Sequence, residues 1–563
     1  MFEPRFPRQK AITKPKPYSM NPVQQFSHWE ATTPGATFLQ QPLAGQWKKW
    51  TYKEAGDEIR RMATALGTYG LPPKSKIAIL SKNCAHWFMA DLAIWMAGHI
   101  SVPLYATFTA ATIRQILEHS ESKILFVGKL DTWDEQRSGI PDNVQCIGIS
   151  TYISTPYPTW ESLVTQHAPL TTFASLGSDD LATIMYTSGT TGNPKGVMAT
   201  FASFAYVITE GLKHLEAENG KQRFFSYLPL SHVAERSLVE MGTIYSGSTV
   251  YFSESLQTFS ENLAHAQPTI FLAVPRIWAK FREKILEAMP QPKLDRLLKI
   301  PLVRALIKNA IKKKLGLAKA NWVISGAAPI AAELLEWFQR LDVTIRDTYG
   351  MTENLAYSHV NLPSVKYGTV GKAWPDVNVR FSENGELQVK HPAIMKGYYK
   401  DPELTQSVIT DDGYLRTGDK GIVDDEGFLT LTGRVKDQFK TDKGKFVNPT
   451  PIELQLLRNP DIDQACVVGM GIPQPIALIN LSAAGKSKSR EAILESIRQT
   501  FSELNPVLET YERLEAAVVM RDDWTVENGM LTPSLKLKRN ELEKANLSKY
   551  PEWYKTNSVV VWE

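Results

Sequence analysis

The sequence predicts an α/β protein of more than one domain, with mostly parallel sheets covered by helices in a large N-terminal part and a small α+β unit at the C-terminal end. Three observations predict it. Short apolar runs alternate with helix-like stretches from Lys76 to Pro329, the rhythm of right-handed βαβ crossovers. Two hairpin signals follow after about Val377. From about Arg434 the chain reads as a compact mixture of short strands and helices, and 563 residues are too many for one core.

Taken in order, KIAILS at Lys76–Ser81 is a short buried strand, and a helix begins near Ala85. ILFVG (124–128), QCIGIS (145–150) and LATIMYTS (181–188) continue the series, and PTIFLAVP (268–275) and NWVISGAAP (321–329) supply two later strands. VNVRFSENGELQV places Asn384-Gly385 between two alternating runs, a strong hairpin signal. A second hairpin turns at Asp425-Glu426-Gly427, and the domain boundary is expected near Lys436, dividing the chain into 1–434 and 435–563.

Bulk composition excludes several function classes. Hydrophobic residues make up 43% and charged residues 22%, ordinary globular values. A formal charge of +4 is too small for a chain built to hold nucleic acid. Cys84, Cys146 and Cys466 have no paired spacing, so neither a disulfide framework nor a zinc site is expected, and a reducing, cytoplasmic setting suits them. The basic, proline-rich start lacks the apolar run of a signal peptide. The most hydrophobic stretch, Phe88 to Val102, is interrupted by Asp91 and His99 and is expected to be a buried helix rather than a membrane span.

The most informative segment is YTSGTTGNPKG, Tyr186 to Gly196, directly after an apolar strand. Its glycines let backbone N–H groups converge on an anion without a Cβ in the way. Thr187, Ser188, Thr190 and Thr191 add hydroxyl donors around Gly189 and Gly192, and Lys195 adds a mobile positive charge. A polyphosphate needs this combination. The Walker pattern is excluded, because Lys195 comes three residues after Gly192 and is followed by glycine. A flexible linker is the bland alternative, but linkers seldom follow a buried strand.

This loop resembles the phosphate-loop signature of the adenylate-forming superfamily, which includes acyl-CoA synthetases, luciferases and peptide-synthetase adenylation domains. YLPLSHVAER (Tyr227–Arg236), FLAVPRIW (Phe271–Trp278) and LTPSLKLKR (Leu531–Arg539) are most similar to long-chain fatty acyl-CoA synthetases, so the resemblance spans nearly the whole chain. It implies a small β-barrel-like subdomain ahead of the boundary and a small C-terminal domain that is mobile. It also implies an enzyme that takes ATP, Mg²⁺, a fatty acid and coenzyme A, forms an acyl-adenylate, and passes the acyl group to the thiol.

The same resemblance assigns roles. Gly326, Ala327 and Ala328, with Asp347, Thr348, Tyr349 and Gly350, would line the adenine pocket, Tyr349 stacking on the base. Thr352 would contact the α-phosphate and Glu353 would hold Mg²⁺, a hard cation that takes oxygen ligands. Asp419 would accept from both ribose hydroxyls, and Arg434 would contact the nucleotide. Lys436 would be the hinge, Lys443 and Gly444 would line the pantetheine tunnel, and Lys536 would be the catalytic lysine, with Lys538 beside it as the competing choice. The acyl pocket is expected at His232, Val274 and Ser325. A polar turn for Asp419, a basic surface loop for Lys443, a solvated charge for Lys536 and a core histidine for His232 are the structural alternatives.

Between Lys293 and Lys314, basic residues are interleaved with leucines and isoleucines. Two readings are open there: a core-packed helix with a solvated face, or a helix lying on an anionic membrane surface. A homodimer is also left open. Three other functions share the motifs: an acyl-adenylate ligase serving a carrier protein, a luciferase-like oxygenase, and a catalytically silent acyl-nucleotide sensor.

Overall fold

The computed structural model describes residues 20–187, 194–218, 220–532 and 535–563. A seven-stranded sheet forms the first layer. Its parallel part runs through Leu181–Thr187, Ile100–Leu104, Lys76–Leu80, Ile124–Val127 and Gln145–Gly148. Lys195–Thr200 pairs antiparallel with Leu181–Thr187, and Gly397–Tyr398 adds to that edge. Each run is apolar and β-branched, and its strands are buried almost throughout, as a sheet covered on both faces requires. The hydrophobic stretch from Phe88 to Val102 is not one helix: every residue of the helix Ala85–Met96 is buried, and the stretch ends in the buried strand Ile100–Leu104, whose pairing with Lys76–Leu80 takes it into the sheet. Among the described residues no helix is long and apolar enough to cross a membrane.

The second layer is a five-stranded sheet. Ile270–Ala273, Trp322–Ser325 and Ile345–Tyr349 are parallel, and His359–Val360 and Lys372–Ala373 extend it antiparallel. A four-stranded sheet joins the Gln46–Thr51 and Thr37–Leu43 hairpin to Thr249–Phe252 and Arg223–Ser226. The sheets are thus mixed, parallel at the heart and antiparallel at the edges.

The expected barrel-like subdomain is instead an open sheet of Asn378–Phe381, Glu386–Lys390, Leu415–Val423 and Leu429–Arg434. Closure would require its two edge strands to pair with each other, and among the described residues they do not. Both hairpin turns fall where the sequence places them, with Gly385 and Gly427 at φ +78° and +89°.

From Phe439 onward the chain builds its own hydrophobic clusters. A four-stranded sheet, Ile462–Val468, Ile476–Leu481, Ala516–Val519 and Val560–Trp562, is flanked by Pro449–Leu456, Arg490–Leu504 and Arg539–Asn546.

Candidate active site

The C-terminal ends of the second sheet's parallel strands open into one cavity of about 1860 Å³ shared by both parts of the chain. Thr187, Lys195, His232, Tyr349, Asp419 and Lys536 all lie on its wall. Strand ends are where open α/β sheets leave room for ligands. Close backbone approach dictates the small residues there. A Cβ on Gly326 would stand 2.9 Å from the Thr348 hydroxyl, and one on Gly350 would stand 2.5 Å from the Ala356 backbone. Ala327 is held at φ +70°, a conformation unusual for a residue with a side chain. Ala328, Thr348 and Thr352 also line the cavity.

Ser188, Gly189, Thr190, Thr191 and Gly192 lie outside the described residues. Their flanks are placed: Thr187 pairs with Lys195 across the antiparallel hairpin. The Lys195 ammonium sits 5.8 Å from the centre of the Tyr398 ring, and the Tyr398 hydroxyl donates to Glu353 Oε1 at 2.7 Å. Tyr398 therefore ties the foot of the glycine-rich loop to Glu353, an assignment the sequence reading lacked. Its only sequence signal is the preceding Gly397, at φ +140°.

Asp419 is held from two sides. The Tyr349 hydroxyl donates to its Oδ2 at 2.6 Å and Arg434 Nε to its Oδ1 at 2.9 Å. Cross-strand pairing of Asp419 with Arg434 brings the last two together. Burial, then the Asp419 charge, pushes the Tyr349 phenol up, so it stays a donor. A carboxylate has lone pairs beyond these two bonds, so Asp419 can still accept from a ligand. Asp347 is buried, and that burial pushes its carboxyl well above the usual range although the Thr348 N–H donates to it.

Lys536 enters from the C-terminal unit on a tight turn. Leu531 and Leu537 form a bridge, Lys536 N donates to the Thr532 hydroxyl at 3.0 Å, and Leu535 takes φ +63°. Burial lowers the Lys536 ammonium, the Arg434 cation lowers it further, and Asp419 and Glu353 pull it back up. His232 feels the same ammonium: burial and then Lys536 lower its imidazole to about 3. It is therefore neutral near pH 7, with Nδ1 accepting from the Ala234 N–H at 3.2 Å. Lys538 also reaches the cavity wall, whereas Arg539 is spent on Glu453 and the Val467 carbonyl and anchors the turn.

Part of the same cavity's wall is apolar and is termed the apolar arm. Val207, Ile208, Gly211, Leu212 and Leu215 present one face of the helix Phe201–His214 and its end to it, and Trp322 lies on the wall as well. Val274 lines the cavity, but Ser325 does not. Strand alternation explains the difference, since Trp322 and Ile324 face the cavity while Ser325 is fully buried with its hydroxyl unpartnered among the described residues.

Lys436 is on the wall. Just before it, Gly433 has φ +142°, and a Cβ there would meet Asn448 Oδ1 at 2.2 Å. Lys443 and Gly444 are not on the wall. They sit in the turn between Phe439–Lys440 and Phe446–Val447, with Gly444 at φ +78°. Two ion pairs that the sequence gives no means of finding join the two parts of the chain: Arg276 to Asp463 at 3.1 Å and Arg458 to Glu333 at 2.7 Å.

Among the described residues no group of three or more histidine, cysteine or carboxylate side chains could hold a metal. Glu353 offers one carboxylate, linked through Tyr398 to Lys195. That suits Mg²⁺, which binds through one or two carboxylates with nucleotide phosphates completing its shell.

Comparison with known proteins places these features. Residues 26–399 match the model of the AMP-binding enzyme family, and residues 436–556 match that of the AMP-binding enzyme C-terminal domain. The chain is 30% identical to the long-chain-fatty-acid–CoA ligase FadD15 of Mycobacterium bovis, over 94% of this chain and 97% of that protein. It is 27% identical to long-chain-fatty-acid–CoA ligase 5 of Rattus norvegicus, over 88% of this chain and 83% of the relative. The fold is similar to the adenylation domain of a carboxylate reductase from Mycobacterium chelonae, with TM-score 0.79, 21% identity, and coverage of 96% and 92%. It is also similar to the anthranilate CoA ligase AuaEII bound to anthranoyl-AMP, with TM-score 0.76, 20% identity, and coverage of 94% and 98%.

Proposed function

This chain belongs to the AMP-binding enzyme family and is an AMP-forming acid–thiol ligase; from that premise we propose that its acid is a medium- or long-chain fatty acid and its thiol coenzyme A. The observation that carries the reading is that the apolar arm and the charged centre belong to the same cavity. Such an arm rewards each buried methylene by about 0.8 kcal/mol, and the CoA-ligase relatives point the same way.

In the proposed first step, one carboxylate oxygen of the acid attacks the α-phosphorus of ATP. The bond to the bridging oxygen breaks and pyrophosphate leaves. With a pKa near 4 the acid is already ionised, so no general base is needed. The obstacle is the approach of one anion to another. Lys536 and Arg434 stand where their cations offset it, and Lys195 stands at the foot of the loop assigned to the leaving pyrophosphate. Mg²⁺, which Glu353 would hold, supplies charge compensation to the phosphates when bound. Neutral His232, on the wall of the same cavity, adds no repelling or competing charge.

In the second step the thiol sulfur attacks the acyl carbonyl, the acyl–oxygen bond breaks, and AMP leaves while the thiol proton passes to solvent. We assign the boundary to 434/435 and the hinge to Lys436, with rotation of residues 435–563 withdrawing Lys536 and bringing Lys443 and Gly444 to the thiol path.

Pyrophosphate release across acids of increasing length, with and without coenzyme A, tests the reading. The expected optimum is about ten carbons or longer, with acyl-CoA formed only when coenzyme A is present. Equal or better turnover of acetate or an aromatic acid overturns the substrate class. Product that requires a carrier protein in place of coenzyme A overturns the acceptor.

A further inference from the structure

The pair of helices Gln291–Leu298 and Pro301–Lys314 has features that the catalytic cavity does not explain. No residue of Pro301–Lys314 is buried. Ile307 and Ile311 turn inward and pack against a core cluster, which accounts for one apolar face. The other side carries a second one: Leu302 is 83% exposed and Leu306 71%, with Ile300 49% exposed just before the helix. Leu302, Leu306, Asn309 and Lys313 follow one another at helical spacing along that outer stripe. A helix apolar on two sides has a partner for each, and among the described residues the outer side has none.

The charge around those leucines is one-sided. From Gln291 to Lys314 there are eight basic residues and one acidic residue, although the whole chain carries only +4. The rest of the molecule is therefore net negative. Asp295, the single acid, is engaged by Arg340. Lys308 pairs with Asp342 at 2.8 Å; Lys299 is felt by Asp295, and among the described residues none of the other seven cations forms a close ion pair with a carboxylate. Lys299, Arg304 and Lys313 are exposed.

The preceding helix, Pro275–Ala288, links this surface to the cavity. Arg276, Ala279, Glu283 and Leu286 line the cavity along its length, so the cavity wall continues to the turn that leads into Gln291.

We propose that the Gln291–Lys314 helix pair is a docking surface for an anionic lipid bilayer, with Ile300, Leu302 and Leu306 entering the headgroup boundary and the surrounding lysines and arginines engaging lipid phosphates. Protruding leucines inside a basic field fit a surface that is negative outside and apolar just beneath. A second copy would bring two like-charged helix pairs together, and an acidic protein partner would leave the leucines' apolar surface without a match. Docking there sets the cavity beside the phase into which a fatty acid partitions. That benefit rests on the fatty-acid reading of the site; the docking itself does not.

The experiment is co-sedimentation of the full chain with phosphatidylcholine vesicles, with and without phosphatidylglycerol, at low and high salt. The expected result is binding at least about tenfold stronger to phosphatidylglycerol vesicles, weakening as salt rises. Leu302→Glu/Leu306→Glu and, separately, Lys299→Glu/Arg304→Glu/Lys313→Glu should each lose that preference. Both variants should keep wild-type acyl-CoA formation from decanoate in the absence of vesicles, which shows that they fold. Equal binding to both vesicle types, or undiminished binding by the variants, overturns the proposal. So does a vesicle-free dimer that Leu302→Glu/Leu306→Glu dissociates, since the leucines would then belong to a copy–copy interface. If wild-type protein binds the vesicles but does not use decanoate, the substrate reading fails and the docking surface stands.

Discussion

Lys536 shows how a single residue acquires chemistry from its surroundings. In the sequence it is one of three closely spaced basic residues; in the structure its charge is felt by His232, Asp419, Glu353 and Arg434. Lys536→Ala should lose adenylate formation by on the order of 10²-fold or more, comparable to removing one charge-stabilising donor. Thioester formation from pre-made acyl-adenylate and coenzyme A should survive, and single-turnover assays of each half-reaction check the split. A pH profile adds a second readout. In the proposed step adenylation needs the ammonium, and burial lowers its pKa, so the rate should fall as pH rises through that lowered value. Lys536→Arg should move the fall to higher pH, because guanidinium stays charged. Should Lys538→Ala reproduce the loss instead, the assignment passes to Lys538.

At the scale of one element, Gly211 is unexpected. It sits inside the helix Phe201–His214, without the positive φ that would call for glycine, and glycine there costs roughly 0.5–1 kcal/mol relative to alanine. A Cβ at Gly211 would meet nothing within 4 Å, and the position lines the apolar arm. The missing side chain therefore leaves open space for ligand. Gly211→Leu should fold as well as the parent and shorten the preferred acid. Excluding about three methylenes at ~0.8 kcal/mol each lowers kcat/KM for long acids by on the order of 10- to 100-fold, with shorter acids spared. A chain-length series on the variant measures it; an unchanged profile would mean that the acyl chain runs elsewhere.

At the scale of the whole molecule, two ion pairs join the parts of the chain in the arrangement that places Lys536 in the cavity. Arg276–Asp463 and Arg458–Glu333 are partly exposed, so each contributes only about 0–1 kcal/mol. Such weak, separate clasps suit the proposed rotation, in which this contact opens in each turnover. Arg276→Ala/Arg458→Ala should reduce adenylate formation severalfold by populating other arrangements, a shift within reach of about 1 kcal/mol. Thioester formation from acyl-adenylate should be unchanged or faster. Equal loss in both half-reactions would show that these pairs do not bias the domain arrangement.

Local properties of the chain were legible in advance. The apolar runs became strands close to their predicted positions, Asn384-Gly385 and Asp425-Glu426-Gly427 became turns, and the stretch from Phe88 became a buried helix as far as Met96, because side-chain periodicity and glycine conformation act within a few residues; its end, from Ile100, became a buried strand instead. The expectation for the acyl wall failed at Ser325. A strand buried on both faces is apolar throughout, so sequence does not say whether Ser325 or Ile324 turns toward the cavity. The barrel stayed open because closure depends on two distant edges meeting, and no local pattern encodes that. The Tyr398–Glu353 bond, the double hold on Asp419, the room beside Gly211 and the two clasps between the parts also emerged only on folding. Their partners are brought together by sheet order and packing across long stretches of chain, so sequence determined the elements and the residue types at their ends, and tertiary structure decided which of those residues meet.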